Sequence, residues 1–275
     1  MSYKLGRVAV LLCGDFRCWP KASGYIFNFV EHYSDQVDYY FATWTTTRDY
    51  RLPELGSIDS ERAVTDRDVT DKFLGRNLIN YKLVDINTVP NYHTNFFYQA
   101  HLAKIGNILK RRHELINDFI YDQVIELRPD VYIPIAHDSI TTCRDLEYST
   151  APMYYAYGTT RPSMPDLYFR TNSFTNDVLS TRNYHDKLNE VGKFLDVNRF
   201  TPGYETMPGT YDVHWILLDF LCKRRMFEQS DRKYEANLAT VIRPNFPDDL
   251  DEYTVEQIRE FSHEWARSKF PGYLF

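Results

Sequence analysis

Residues 7–13 read Arg-Val-Ala-Val-Leu-Leu-Cys, an apolar run that begins right after one arginine and is closed by Gly14. An apolar run without polar alternation suits a strand buried on both faces, the usual state of a parallel strand. Residues 37–43, Val-Asp-Tyr-Tyr-Phe-Ala-Thr, read as a second strand. Ser23 to Tyr33 lies between them, with Ile26, Phe29 and Val30 on one helical face. The three pieces make a β-α-β unit, whose crossover is expected to be right-handed and its strands parallel.

The alternation continues through the first half of the chain. Residues 45–70 are polar and read as a loop with a short helix. Leu78 to Ile86 reads as a third strand and Gln123 to Leu127 as a fourth, extended again from Val131 to Ala136 after Pro129. Between them, Tyr98, Leu102, Ile105, Leu109, Ile116 and Phe119 recur at helical spacing over 95–120. The second half is mixed. Short β candidates are 153–157, 167–169 and 239–243; helices are expected over 173–195 (in two pieces), 210–225 and 254–270. No repeat, linker or low-complexity stretch divides the chain, so a single α/β domain over 1–275 is expected.

Composition narrows the function classes. The chain has 275 residues and a net charge of −6, a weak argument against dependence on bulk duplex phosphate. The basic clusters 110–112 and 223–225 read more readily as solvated helix ends than as binding sites. The four cysteines include no CxxC pair, which suits a reduced, cytoplasmic protein (host cytoplasm if viral). The N-terminus runs straight into a strand, so no signal peptide is expected. No apolar run approaches the ~20 residues of a membrane span. The chain holds 22 Tyr, 18 Phe and 4 Trp, which serve a packed core or a stacking surface alike.

In open α/β sheets, ligands sit beyond the carboxyl ends of the strands. Three segments fall there. Gly14-Asp15-Phe16-Arg17 follows the first strand: glycine permits close backbone approach, and the arginine fork matches phosphate oxygens. Thr43 to Thr47 lies at the end of the second strand, where the Trp44 indole either stacks on a base or sugar or packs at the rim. Arg128-Pro129-Asp130 follows the fourth strand. A carboxylate there suits a divalent cation bridging a diphosphate, or closes a turn by pairing with Arg128.

Together these blocks resemble a group of phage, viral and bacterial glycosyltransferase-like proteins of the GT-A type. The resemblance rests on Gly14 and Arg17, Thr43 and Trp44, then Tyr121, Asp122, Val124, Arg128 and Asp130, over roughly the first half of the chain. It implies a GT-A-like domain with a Rossmann-like, mostly parallel sheet. Residues 1–136 would bind a nucleotide-sugar donor, and the mixed half, 137–275, the acceptor. It further implies donor contacts from Gly14, Arg17, Thr43, Trp44 and Arg128, and a divalent cation (manganese or magnesium) on Asp130, with His214 completing the shell. The usual Asp-x-Asp metal motif is replaced by Arg128-Pro129-Asp130, which leaves a single carboxylate.

An inverting transfer needs a general base by the acceptor hydroxyl. Asp138, Asp166, Glu205 and Asp212 qualify by residue type. They serve equally as turn formers or helix caps, and for Asp212 the cap reading is preferred. His214 shares a face with Leu217, Leu218 and Leu221, so a core histidine is as good a reading as a ligand. The expected activity is sugar transfer from a nucleoside diphosphate, such as a uridine or cytidine diphosphate sugar, to a hydroxyl acceptor. That acceptor is a surface glycan or a hydroxymethylated base of phage DNA. The rivals are a non-catalytic glycan- or nucleotide-binding module with a degenerate transferase fold, and a nucleotidyltransferase, which ordinarily uses paired carboxylates.

Overall fold

A computed structural model of the chain describes residues 6–48, 61–90, 95–133, 146–148, 168–181, 240–242, 246–254, 257–258, 260–261 and 264. The run that opens the chain is strand β1, Val8–Cys13, and all six residues are buried. It pairs in parallel with β2, Val37–Trp44, on one side. On the other side it pairs in parallel with the strand at Gln123–Leu127. Burying Val8, Val10, Leu11 and Leu12 contributes about 1.5–3 kcal/mol each. A strand hydrogen-bonded on both edges and apolar on both faces fixes the centre of the sheet.

Helix α1, Trp19–Tyr33, covers one face. It begins four residues before the expected Ser23, because Pro20 is tolerated in a first turn and Trp19 is a core residue. The Trp19 ring stacks on Phe73 at 5.4 Å and tilts against Phe41 at 4.9 Å, joining helix, sheet and the following loop. Residues 45–70 hold more structure than a loop. They contain an antiparallel pair, β3 (Thr46–Arg48) and β4 (Glu61–Ala63), then α2 (Asp66–Thr70), whose start is a reciprocal Thr65–Asp68 capping box.

Strand β5, Leu78–Val84, adds to the outer edge of β2 in parallel. Helix α3, Asn95–Asn117, then crosses to the opposite face of the sheet. Gly106 lets it lie close on β1, since a Cβ there would sit 2.5 Å from the Cys13 Sγ. The chain re-enters the sheet as β6, Gln123–Leu127, on the far side of β1 from β2. The short β7, Val131–Tyr132, leaves the main sheet and pairs with residues 240–241. Two more strands complete the main sheet, β8 (Leu146–Tyr148) and β9 (Tyr168–Thr171), with β9 antiparallel to both β6 and β8. Helix α4, Ser173–Leu179, follows, and β10 is Thr240–Val241. The main sheet therefore runs β5-β2-β1-β6-β9-β8, mixed α/β and mostly parallel, with helices on both faces. No described helix is long and apolar enough to cross a membrane. The helices expected at 210–225 and in the second piece of 173–195, and the strand at 153–157, lie outside the described residues. Of the terminal helix, residues 257, 258, 260, 261 and 264 are helical.

Two features of α3 differ from its apolar spacing. Leu115 and Ile116 are each 71% exposed, whereas Lys110 and Glu114 are buried. Lys110 Nζ donates to Ser173 Oγ at 2.6 Å and to Asp177 Oδ1 at 3.2 Å. Glu114 Oε1 accepts from Ser173 Oγ at 2.6 Å and from the Tyr121 N–H at 3.0 Å. Burial lowers the Lys110 pKa against the opposing pull of Asp177 and Glu114. Burial raises that of Glu114, but the Ser173 and Tyr121 hydrogen bonds and the Lys110 charge outweigh it, and the net shift is downward. Lys110 is thus a docking group between α3 and α4, not part of a solvated basic end.

Removing one member of a buried pair leaves an uncompensated charge, so Glu114→Ala is expected to lower unfolding stability by about 3–5 kcal/mol in urea. The exposed neighbour Arg112→Ala is expected to change it by less than about 0.5 kcal/mol. Equal effects of the two would contradict the docking role.

Candidate functional site

β1 and β6 are the neighbours at which the connections diverge. From β1 the chain moves outward to β2 and β5, then returns through α3 to β6 on the opposite side. That arrangement opens a crevice beyond their carboxyl ends. The turns that follow the two strands, 14–17 and 128–130, meet there.

Gly14 has a φ of 152°, and a Cβ on it would lie 2.8 Å from Gln99 Oε1 and 2.9 Å from Pro129 Cδ. Three segments converge on this point: the end of β1, the first turns of α3, and the turn after β6. Gln99 Nε2 also donates to the Cys13 carbonyl. Beyond Gly14 the side chains alternate. Phe16 enters the core at 1% exposure, while Asp15 and Arg17 stay partly exposed at the crevice.

Four charges form an alternating chain across the crevice. Asp15 Oδ1 accepts from Thr47 Oγ1 at 2.6 Å and from the Arg17 N–H at 3.3 Å. Arg17 Nε lies 3.7 Å from Asp15 Oδ2, and Arg17 Nη2 lies 3.4 Å from Asp130 Oδ2. Arg128 closes on Asp130 as a fork, Nε to Oδ1 at 2.9 Å and Nη2 to Oδ2 at 2.8 Å. Asp130 is 2% exposed. The Arg128 contacts are hydrogen bonds of charge-assisted length, whereas those of the Arg17 guanidinium are longer than the 2.7–2.9 Å typical of that class. Arg128 is therefore locked, and Arg17 is loosely bracketed. The adjacent α1 N-terminus has no acidic residue in its first turn, and its leading N–H groups are already engaged: Trp19 donates to the Phe16 carbonyl, Lys21 and Ala22 donate to that of Cys18, and Pro20 has none.

The residues expected at the donor side divide. Gly14, Arg17, Arg128 and Asp130 come together. Thr43 is fully buried in β2. Trp44 is 6% exposed, with the His101 ring stacked on it at 6.4 Å and Tyr98 edge-on at 5.9 Å. Burial, then the Lys104 charge, lowers the His101 pKa and favours the neutral ring. Asp138, Asp166, Glu205 and His214 lie outside the described residues. Asp15 and Thr47 fell within the strand-end segments without a role of their own and join the site here, and Gln99 joins it without having been singled out from the sequence. Tyr121 and Asp122 sit at the other end of the sheet. The Tyr121 hydroxyl donates to Asp38 at 2.6 Å and lies 2.7 Å from the Tyr40 hydroxyl, while Asp122 accepts the Arg7 N–H at 2.8 Å. Burial, and then the Asp38 contact, raise the Tyr121 phenol well above its ordinary value, so it stays a donor. These two residues fasten the chain ahead of β1.

The described part of the crevice does not suit a divalent cation. Both Asp130 oxygens face guanidinium N–H groups, and a cation would have to displace an arginine against the repulsion of the other. Among the described residues, no group of three or more His, Cys, Asp and Glu side chains is placed to hold a metal ion.

The two arginines are expected to separate in a thermal-melt comparison. Arg128→Ala strips the bidentate partner from buried Asp130 and is expected to cost about 2–3 kcal/mol. Arg17→Ala removes only long contacts and is expected to cost less than about 1 kcal/mol. The reverse order would contradict the locked and loose assignments.

No family model matches this chain, and no curated protein sequence does. Solved structures do match. One is the crystal structure of a glycosyltransferase involved in the glycosylation of the major capsid of PBCV-1. It is 10% identical with a TM-score of 0.35, covering 92% of this chain and 100% of that one. A likeness so distant transfers no chemistry from that protein to this one.

Proposed function

We propose that the chain is a glycosyltransferase that moves a sugar from a nucleoside-diphosphate sugar to a hydroxyl acceptor. The observation that carries this reading is the meeting of Gly14, Arg17 and Arg128 at the crevice between β1 and β6. The GT-A-type sequence resemblance, which rests in part on these same residues, points the same way. When a glycosidic bond to a diphosphate breaks, negative charge grows on the leaving group. A pre-placed guanidinium stabilises that charge more in the transition state than in the ground state. Gly14 lets the turn pass between Gln99 and Pro129, and so brings Arg17 to the crevice. Among the described residues, the four side-chain charges linked across the crevice cancel: two arginines and two aspartates. Donor binding thus has Arg17 exchange its long carboxylate contacts for phosphate oxygens, while Arg128 remains on Asp130.

The acceptor-side part of the proposal keeps a general base among Asp138, Asp166 and Glu205. The acceptor is a glycan or a hydroxymethylated DNA base; of the basic cluster 110–112, Lys110 is buried and Arg112 is exposed, so only part of it could meet a phosphate backbone. The engagement of Asp130 by arginine also supports a second reading, a binding module that holds a nucleotide or glycan without turnover.

Incubation with a panel of nucleotide sugars, followed by assay of free nucleoside diphosphate, separates the two. The enzyme reading expects release from at least one donor. It also expects kcat to fall about 10²-fold in Arg17→Ala, the scale for loss of one charge-stabilising donor. No release from any donor, with a nucleotide-induced rise in melting temperature, would leave the binding module.

A further inference from the structure

We infer that the donor's diphosphate is held without a divalent cation, with Arg17 as its counter-charge, and that Asp130 is a positioning residue for the two arginines. This rests on the donor reading of the crevice and departs from the metal that the sequence resemblance implies.

Asp130 has the position of a metal carboxylate but the surroundings of a structural anion. It is 2% exposed, its two oxygens accept the Arg128 fork at 2.9 and 2.8 Å, and Arg17 Nη2 stands 3.4 Å from one of them. A cation of charge two reaching Asp130 meets two guanidiniums at close range and carboxylate oxygens that already serve them, so it gains a ligand there only by displacing an arginine. The same arrangement favours a phosphate. The Arg128–Asp130 pair is nearly neutral and makes a rigid wall. Arg17 is steered between Asp15 and Asp130 without a short hydrogen bond from its guanidinium to either. Asp15 itself is held by the Thr47 hydroxyl at 2.6 Å, so the bracket is anchored at both ends, on β3 and on the turn after β6. A guanidinium held in place but not saturated loses little entropy when it takes up phosphate oxygens. A cation supplies the same charge compensation, and at this position the chain supplies it itself.

The test is calorimetric titration of the full chain with uridine, cytidine, guanosine and thymidine diphosphates, once with manganese and once with EDTA. For the nucleotide that binds, Kd is expected to agree within about twofold between the two buffers. Arg17→Ala is expected to weaken binding at least about tenfold in both, with Arg17→Lys recovering part of the loss. Asp130→Asn is expected to weaken binding in EDTA as much as in manganese, because it releases the arginines; a metal ligand would lose only the manganese-dependent part. Binding that appears only with manganese and is reversed by EDTA would overturn cation independence and leave the donor reading standing. No binding of any of the four nucleotides in either buffer would overturn the donor reading itself.

Discussion

The described sheet and its helices are arranged around the burial of β1. All six of its residues are inaccessible, and both of its edges are hydrogen-bonded to parallel neighbours. A strand in that state needs a helix on each face, which α1 and α3 provide. It also leaves the chain nowhere to go at its carboxyl end except outward, over the crevice toward β6. Gly14 makes the exit possible in a space bounded by Gln99 and Pro129. The position of Arg17 follows from how β1 is buried.

The crevice then shows a division of labour between two like charges. Arg128 is spent on Asp130 and gives the turn after β6 its shape. Arg17 is held at arm's length by two carboxylates. Buried charge networks of this kind add little net stability, because desolvation offsets much of their attraction. What they provide is placement, and placement matters most where charge changes during a reaction. The Lys110–Glu114–Asp177 network shows the other use, joining two helices away from the crevice.

The sequence was most legible where burial acts locally. β1 is a continuous apolar run, β2 is rich in aromatic and β-branched residues, and the strand-end rule located the turns at 14–17 and 128–130. It was least legible where a partner distant in sequence decides the outcome. Lys110 and Glu114 are buried only because α4 brings Ser173 and Asp177 to them, and the same docking leaves Leu115 and Ile116 facing water. The β3–β4 pair is short and polar, with no alternation to reveal it. Thr47 reaches Asp15 across 32 residues and Gln99 reaches Cys13 across 86, separations that leave no local pattern. The Trp-Pro start of α1 and the inward fold of Trp44 under His101 are tertiary outcomes of the same kind.

The central claim is that the crevice between β1 and β6 holds the diphosphate of a donor through Arg17. A crystal structure of the chain soaked with a nucleoside diphosphate tests it most directly. The account predicts phosphate oxygens at about 2.7–3.0 Å from the Arg17 guanidinium, with the Arg128–Asp130 fork intact. A nucleotide bound elsewhere on the sheet, with Arg17 still bracketed by Asp15 and Asp130, would contradict it.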